Sequence, residues 1–232
     1  MRVHVAFTPE EEAAAPVGIV VDVVRATSSI AQALASGYER VLCCAAIDEA
    51  RALRAELGDR AVVGGEREAR VIEGFDVGAS PREFAAGAPK AETLILTTTN
   101  GTRAILTAVE RCDVVLLGSL LNLTAVAAKA RASGDDVAIV CSGFKGSFAL
   151  DDAYCAGRLV GALGADGSDA ALAAEVIARA WPNPLDGLNA RTYGPPGLEA
   201  DIAFCAQVDL LDVVPRFADM VGPAAEIKRA AD

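Results

Sequence analysis

Hydrophobic positions along this chain fall into short, nearly continuous runs separated by segments with helical spacing. Residues 17–24 form such a run, interrupted only by Gly18 and Asp22, and residues 41–45, 61–63, 94–96, 113–117 and 137–141 repeat the pattern. Strands buried on both faces of a parallel sheet look like this. Residues 1–5 add a strand-like start. Helical patterns occupy 30–36, 48–57, 123–132, 153–163 and 170–180, and another begins near Thr102, with Ala104, Ile105, Ala108 and Val109 on one face. Thr27-Ser28-Ser29, Asn122 and Asp169 are read as N-caps, and Gly37 as a stop. Short helical pieces at 188–193 and 198–205 precede Val213-Val214-Pro215 and a charged end. The alternation predicts a three-layer α/β/α sandwich around a mainly parallel sheet, one domain spanning residues 1–232. From Gly64 to about Pro89 the periodicity fails. Ile72, Phe75 and Phe84 give that stretch apolar anchors, so it reads as an ordered functional loop.

Composition narrows the chemistry. Just over half of the residues are apolar, enough for a large core, and the formal net charge is −11. Such an acidic chain is a poor partner for nucleic acid or anionic membrane. No apolar run reaches the length of a membrane span and the start lacks a signal-peptide pattern, so a cytoplasmic location is expected. The six cysteines form no CxxC pair and read as small buried hydrophobes. The single histidine, His4, leaves no two-histidine zinc site. Neither GxxxxGK[ST] nor a GxGxxG after the first strand occurs.

The informative residues gather at strand ends. Leu94-Ile95-Leu96-Thr97-Thr98-Thr99-Asn100-Gly101-Thr102-Arg103 runs from a buried strand into a helix N-terminus, where unpaired N–H groups suit an anion. Similar loops follow four other strands: Asp22 with Arg25 and Thr27, Gly64 to Arg67, Gly118 to Asn122, and Gly143 to Asp152. Open α/β sheets bind ligands along that edge. Arg25, Arg67, Arg103 and Lys145 are candidates to hold an anion; Asp22, Glu66, Asp76, Asp151 and Asp152 are candidates to hold a hard cation. Carboxylates without histidine or clustered cysteine favour magnesium, and magnesium beside an anion cradle points to phosphoryl chemistry.

Several of these stretches, in this order, resemble the magnesium-dependent 2-phosphosulfolactate phosphatases. They are Val21-Asp22-Val23-Val24-Arg25-Ala26-Thr27-Ser28; Gly64-Gly65-Glu66-Arg67 with Gly74-Phe75-Asp76 and Ser80-Pro81; Thr97 through Arg103; and Gly143 through Phe148 with Leu150, Asp152 and Cys155-Ala156-Gly157. The resemblance covers residues 1–215 and implies hydrolysis of (R)-2-phospho-3-sulfolactate, a step toward coenzyme M. The chain departs from the pattern at Ala69 and Val71, at Ala79 before Ser80-Pro81, and at Asp151, where the family usually has glutamate.

The resulting expectation is a phosphatase with Mg²⁺ on Asp22, Glu66 and Asp152, which also act catalytically, and Asp76 and Asp151 in reserve. Arg25, Thr27, Thr98, Asn100, Gly101, Thr102 and Arg103 bind the substrate's phosphate side, and Arg67 with the long loop takes its far acidic end. Attack by metal-activated water is preferred to an aspartyl-phosphate at Asp22, because Val24 stands where aspartate-nucleophile phosphatases carry a second acid. The partner is a small anionic phosphate ester; a homo-oligomer is compatible with this reading. Another phosphorylated acid as substrate, and a non-catalytic binder of anionic metabolites, are the alternatives.

Overall fold

A computed structural model describes residues 1–192 and 194–231. In chain order the elements are β1 (Arg2–Ala6), β2 (Ala15–Val21), α1 (Ala26–Ala35), β3 (Arg40–Cys43), α2 (Ile47–Leu57), β4 (Ala61–Arg67), β5 (Arg70–Val71), α3 (Pro81–Ala85), β6 (Thr93–Thr97), α4 (Gly101–Arg111) and β7 (Cys112–Gly118). There follow α5 (Leu123–Ser133), β8 (Val137–Cys141), α6 (Leu150–Leu163), β9 (Asp166–Gly167), α7 (Asp169–Ala180), α8 (Pro184–Asn189), α9 (Glu199–Cys205), β10 (Pro215–Val221) and β11 (Ala224–Arg229).

The apolar runs become the strands of one large sheet ordered β5-β4-β6-β3-β11-β10-β7-β2-β8-β1-β9. Strands β4, β6 and β3 are mutually parallel, as are β7, β2, β8, β1 and β9. Helices cover both faces, giving the three-layer α/β/α arrangement. On one face, α2 packs on the β3–β4–β6 half, and α5, α6 and α7 pack on the β1–β2–β8 half. Helices α1 and α4 cover the opposite face, α1 against β3 and β7, α4 against β2, β7 and β11.

The tail is where structure and sequence part. Its charged end, to which the sequence pattern assigned no element, is the hairpin β10–β11, inserted between β3 and β7, β10 antiparallel to β7 and β11 antiparallel to β3. Only β11 is well buried, and β10 carries an exposed face and starts at a proline, so neither has the apolar run of the parallel strands. The hairpin makes the two parallel halves run in opposite senses. On a flat sheet their C-terminal ends would lie on opposite edges. Sheet twist accumulates at roughly 20–25° per strand. Over the five steps from β6 to β2, it carries the two sets of ends around α1 and α4 to one place.

Smaller differences are local. The helix expected at 30–36 begins at Ala26, so Thr27, Ser28 and Ser29 lie in its first turn and Arg25 is the N-cap. The helix expected at 153 begins at Leu150, which brings Asp151 and Asp152 into a helical first turn. Ser168, not Asp169, caps α7, its side chain accepting from the Ala171 N–H. The irregular segment holds the β4–β5 turn at Glu68 and Ala69, both at positive φ, and the short α3. The piece read at 188–193 is α8, which ends at Asn189; its expected end at Tyr193 lies outside the described residues.

Candidate active site

A cavity of about 420 Å³ opens where strand ends from both halves meet. Five acids line it: Asp22 after β2, Glu66 on β4, Asp151 and Asp152 in the first turn of α6, and the exposed Glu68 at the rim, 3.6 Å from Lys145; the first four build the site. Acids suit a helix N-terminus, whose partial charge is positive.

Each acid also fastens the loops that carry it. Asp22 Oδ1 accepts from the Ala26 N–H at 3.2 Å, and Thr27 pins the Asp22 backbone, its hydroxyl donating to the Asp22 carbonyl at 2.9 Å. Glu66 accepts from the Ala69 and Thr99 N–H groups, both at 2.8 Å, and so joins the β4–β5 turn to the β6–α4 loop. Asp152 accepts from the Val23 N–H at 2.9 Å, the Ser142 hydroxyl at 2.9 Å and the Gly143 N–H at 3.1 Å. It thereby ties the ends of β2 and β8 together. Asp151 lies 3.4 Å from the Arg191 guanidinium.

Burying these carboxylates together disfavours their charged forms. Burial pushes Asp22 up to about 6, with the charges of Glu66 and Asp151 adding and the Ala26 N–H opposing. Asp152 is raised well above the ordinary carboxylate range by burial and by the charges of Asp151 and Asp22. Burial also raises Asp151, against the pull of Arg191. A site that strains to keep its carboxylates ionised is suited to a cation. Among the described residues, no three His, Cys, Asp or Glu side chains are arranged as a ready metal cage. The donor set fits magnesium, which commonly uses one or two carboxylates, several waters and substrate phosphate.

The anion-binding candidates separate on folding. Arg25, Thr98 and Asn100 line the cavity. Thr27 and Thr102 are fully buried behind it. The Thr102 N–H, expected to face a phosphate, donates to Thr98 Oγ1 at 3.2 Å. Gly101 lets α4 approach Asp22: a Cβ there would sit 2.5 Å from Asp22 Oδ2 and collide with Ala26. Arg67 turns aside, donating to the Glu66 carbonyl at 2.8 Å and to Thr97 Oγ1 at 3.1 Å. Arg103 is mostly exposed, 3.8 Å from Glu10, and neither arginine lines the cavity. Asp76 accepts from the Val63 N–H at 2.9 Å, also outside the lining. The Gly118–Asn122 loop is structural: Asn122 caps Ser119 and donates to the Val213 carbonyl.

Other lining residues were not among the candidates named from the sequence. Arg70 stands on β5, Ser142 follows β8, and Arg191 comes from the irregular stretch after α8. Thr99 also lines the cavity, and its buried hydroxyl has no hydrogen-bond partner in the protein, leaving a donor for a bound molecule.

Comparison with known proteins agrees with this geometry. The family model described as 2-phosphosulpholactate phosphatase matches residues 4–220. A Thermus thermophilus protein named "Probable 2-phosphosulfolactate phosphatase" is 39% identical, covering 99% of this chain and all of its own. Proteins of the same name from Synechococcus sp. (strain JA-3-3Ab) and Clostridium acetobutylicum are 37% and 36% identical over 90% of this chain, and 93% and 92% of their own lengths. Among the described residues, no helix is long and apolar enough to cross a membrane. With strand ends, carboxylates and near-full-length relatives in agreement, the chain belongs to the 2-phosphosulpholactate phosphatase family of phosphoric monoester hydrolases.

Proposed function

We propose that this protein is a cytoplasmic, Mg²⁺-dependent phosphatase that converts 2-phospho-3-sulfolactate into 3-sulfolactate and phosphate, in the supply of coenzyme M where that cofactor is made. The observation that carries the reading is the convergence of Asp22, Glu66, Asp151 and Asp152 beside the Thr98–Asn100 loop in one cavity. Asp22, with Glu66 and Asp152 beside it, would hold magnesium. Bound there, the ion would neutralise phosphate oxygens and acidify a water.

The chain's own residues do the rest. The Thr98–Asn100 loop receives the phosphate. Arg25 meets its oxygens from the N-terminus of α1. Asp151 accepts the proton of the attacking water, and Arg191 steadies the resulting charge pattern. Water oxygen joins phosphorus, the bond from phosphorus to the substrate's C2 oxygen breaks, and that oxygen takes a proton from solvent. With Arg67 and Arg103 outside the lining, the substrate's carboxylate and sulfonate fall to Arg70, Lys145 and Arg191, the other cations of the cavity wall.

Phosphate release from 2-phospho-3-sulfolactate, 2-phospholactate and 3-phosphoglycerate, with magnesium and with EDTA, tests this. Turnover of the sulfonated ester that EDTA abolishes is expected. Equal rates on all three substrates would refute the substrate, and full activity in EDTA would refute the metal.

A further inference from the structure

Arg25 lies in a cavity with the carboxylates of Asp22, Glu66, Asp151 and Asp152, yet its guanidinium is committed elsewhere. Arg25 Nη1 donates to Asp201 Oδ2 at 2.7 Å, and Asp201 Oδ1 accepts from the Ser80 hydroxyl at 2.6 Å. The side chains of Arg25 and Asp201 are 9% and 8% exposed. Arg82 approaches the same carboxylate from the solvent side at 3.9 Å. Asp201 stands on α9, outside the cavity lining and 176 positions from Arg25. A buried carboxylate is costly unless paired and hydrogen-bonded, and here both oxygens are engaged.

A guanidinium on a flexible stem, set among Asp22, Glu66, Asp151 and Asp152, would pair with whichever carboxylate it reached. It would then neutralise the acids and present no donor to an anion. Asp201 removes that option by holding one edge of the fork, while Arg25 itself lines the cavity. The geometry points to Asp201 as a positioning residue, which acts through Arg25 to keep the guanidinium off the acids and aimed at the phosphate. This rests on the reading of the cavity as a phosphate-ester site. The competing reading is that Asp201 only clamps α9 to Ser80.

A double-mutant cycle separates the two. Asp201→Asn, Arg25→Gln, the double variant and Ser80→Ala are compared with the unmodified protein. The readouts are KM and kcat for 2-phospho-3-sulfolactate and the Kd of inorganic phosphate by calorimetry. Asp201→Asn is expected to raise KM and the phosphate Kd about tenfold or more, with a smaller change in kcat. The double variant should match Arg25→Gln alone within about twofold, and Ser80→Ala should lose much less than Asp201→Asn. Additive losses in the double variant, an unchanged Asp201→Asn, or an equal loss in Ser80→Ala would overturn the assignment. Should Asp201→Asn fail to fold, Asp201→Glu, which keeps the charge and shifts it by one methylene, enters the same cycle under the same criteria. If the unmodified protein binds phosphate but does not hydrolyse the ester, the functional reading fails while the binding cycle still decides the role of Asp201.

Discussion

At the scale of single residues, the site trades stability for charge. Asp22 has a folded-state pKa of about 6 against an ordinary 3.8, so the native protein binds a proton there more tightly than the unfolded chain does. Stability from this group is therefore fully present below 3.8 and lost as pH rises toward about 6. A shift of that size corresponds to at most about 3 kcal/mol. Asp22→Asn should raise the unfolding free energy by about 1–3 kcal/mol at pH 7.5 without magnesium, show little gain at pH 4, and abolish turnover. Denaturant melts at the two pH values would check this; a gain that grew toward pH 4 would contradict the sign. The same proton competes with a cation, so magnesium affinity should weaken as pH falls through about 6, as calorimetry can measure. Gly101→Ala places a Cβ against Asp22 Oδ2 and Ala26. It should lower kcat/KM by about tenfold or more while the far-UV spectrum stays native, because the displaced group is the site's own carboxylate.

At the scale of elements, close helix packing sets how deep the acids sit. Helix α6, which begins with Asp151 and Asp152, lies tightly against α7 because Gly157 has no side chain; a Cβ there would meet the Ala174 carbonyl of α7. Gly157→Ala should destabilise by about 1–3 kcal/mol despite the better helix propensity of alanine. Thermal melts would show the loss, and an unchanged Tm would mean that α7 yields without cost. The helix-terminal motifs were legible only in part. Asn100 at the start of α4 could be recognised from Asn-Gly after a strand. Thr27 to Ser29 could not be placed correctly, because hydroxyls at a cap and in a first turn look alike in sequence, and here they bond to Asp22, Val23 and Ala79.

At the scale of the whole molecule, the C-terminal hairpin joins the two halves of the sheet. Chains truncated after Asp212 lose β10 and β11, leaving the edges of β3 and β7 unpaired inside the core. Buried backbone groups without partners are costly, and exposed edges aggregate. Such a chain should be recovered only in aggregates, with no cooperative melt; a soluble, cooperatively folding product would show that the halves hold together through α1 and α4 alone.

What the sequence determined by itself was local and periodic. Continuous apolar runs marked strands buried on both faces, helical spacing marked the covering layers, and Gly-rich strand ends marked the edge where the cavity opens. Asp22, Glu66, Asp152, Thr98 and Asn100 could all be named because each sits within a few residues of a strand end that periodicity locates. Only the tertiary structure decided which of these groups face one another. Arg67 and Arg103 looked equivalent to Arg25 along the chain, but the direction of each side chain depends on twist and on neighbours far away in sequence. Arg191 reaches the cavity from the tail and Asp201 reaches Arg25 from behind it; the short helical pieces read there gave no reason to place either near the strand ends. The opposite sense of the two sheet halves was hidden for the same reason: a hairpin with one exposed strand, pairing with strands far away in sequence, leaves no apolar run to read.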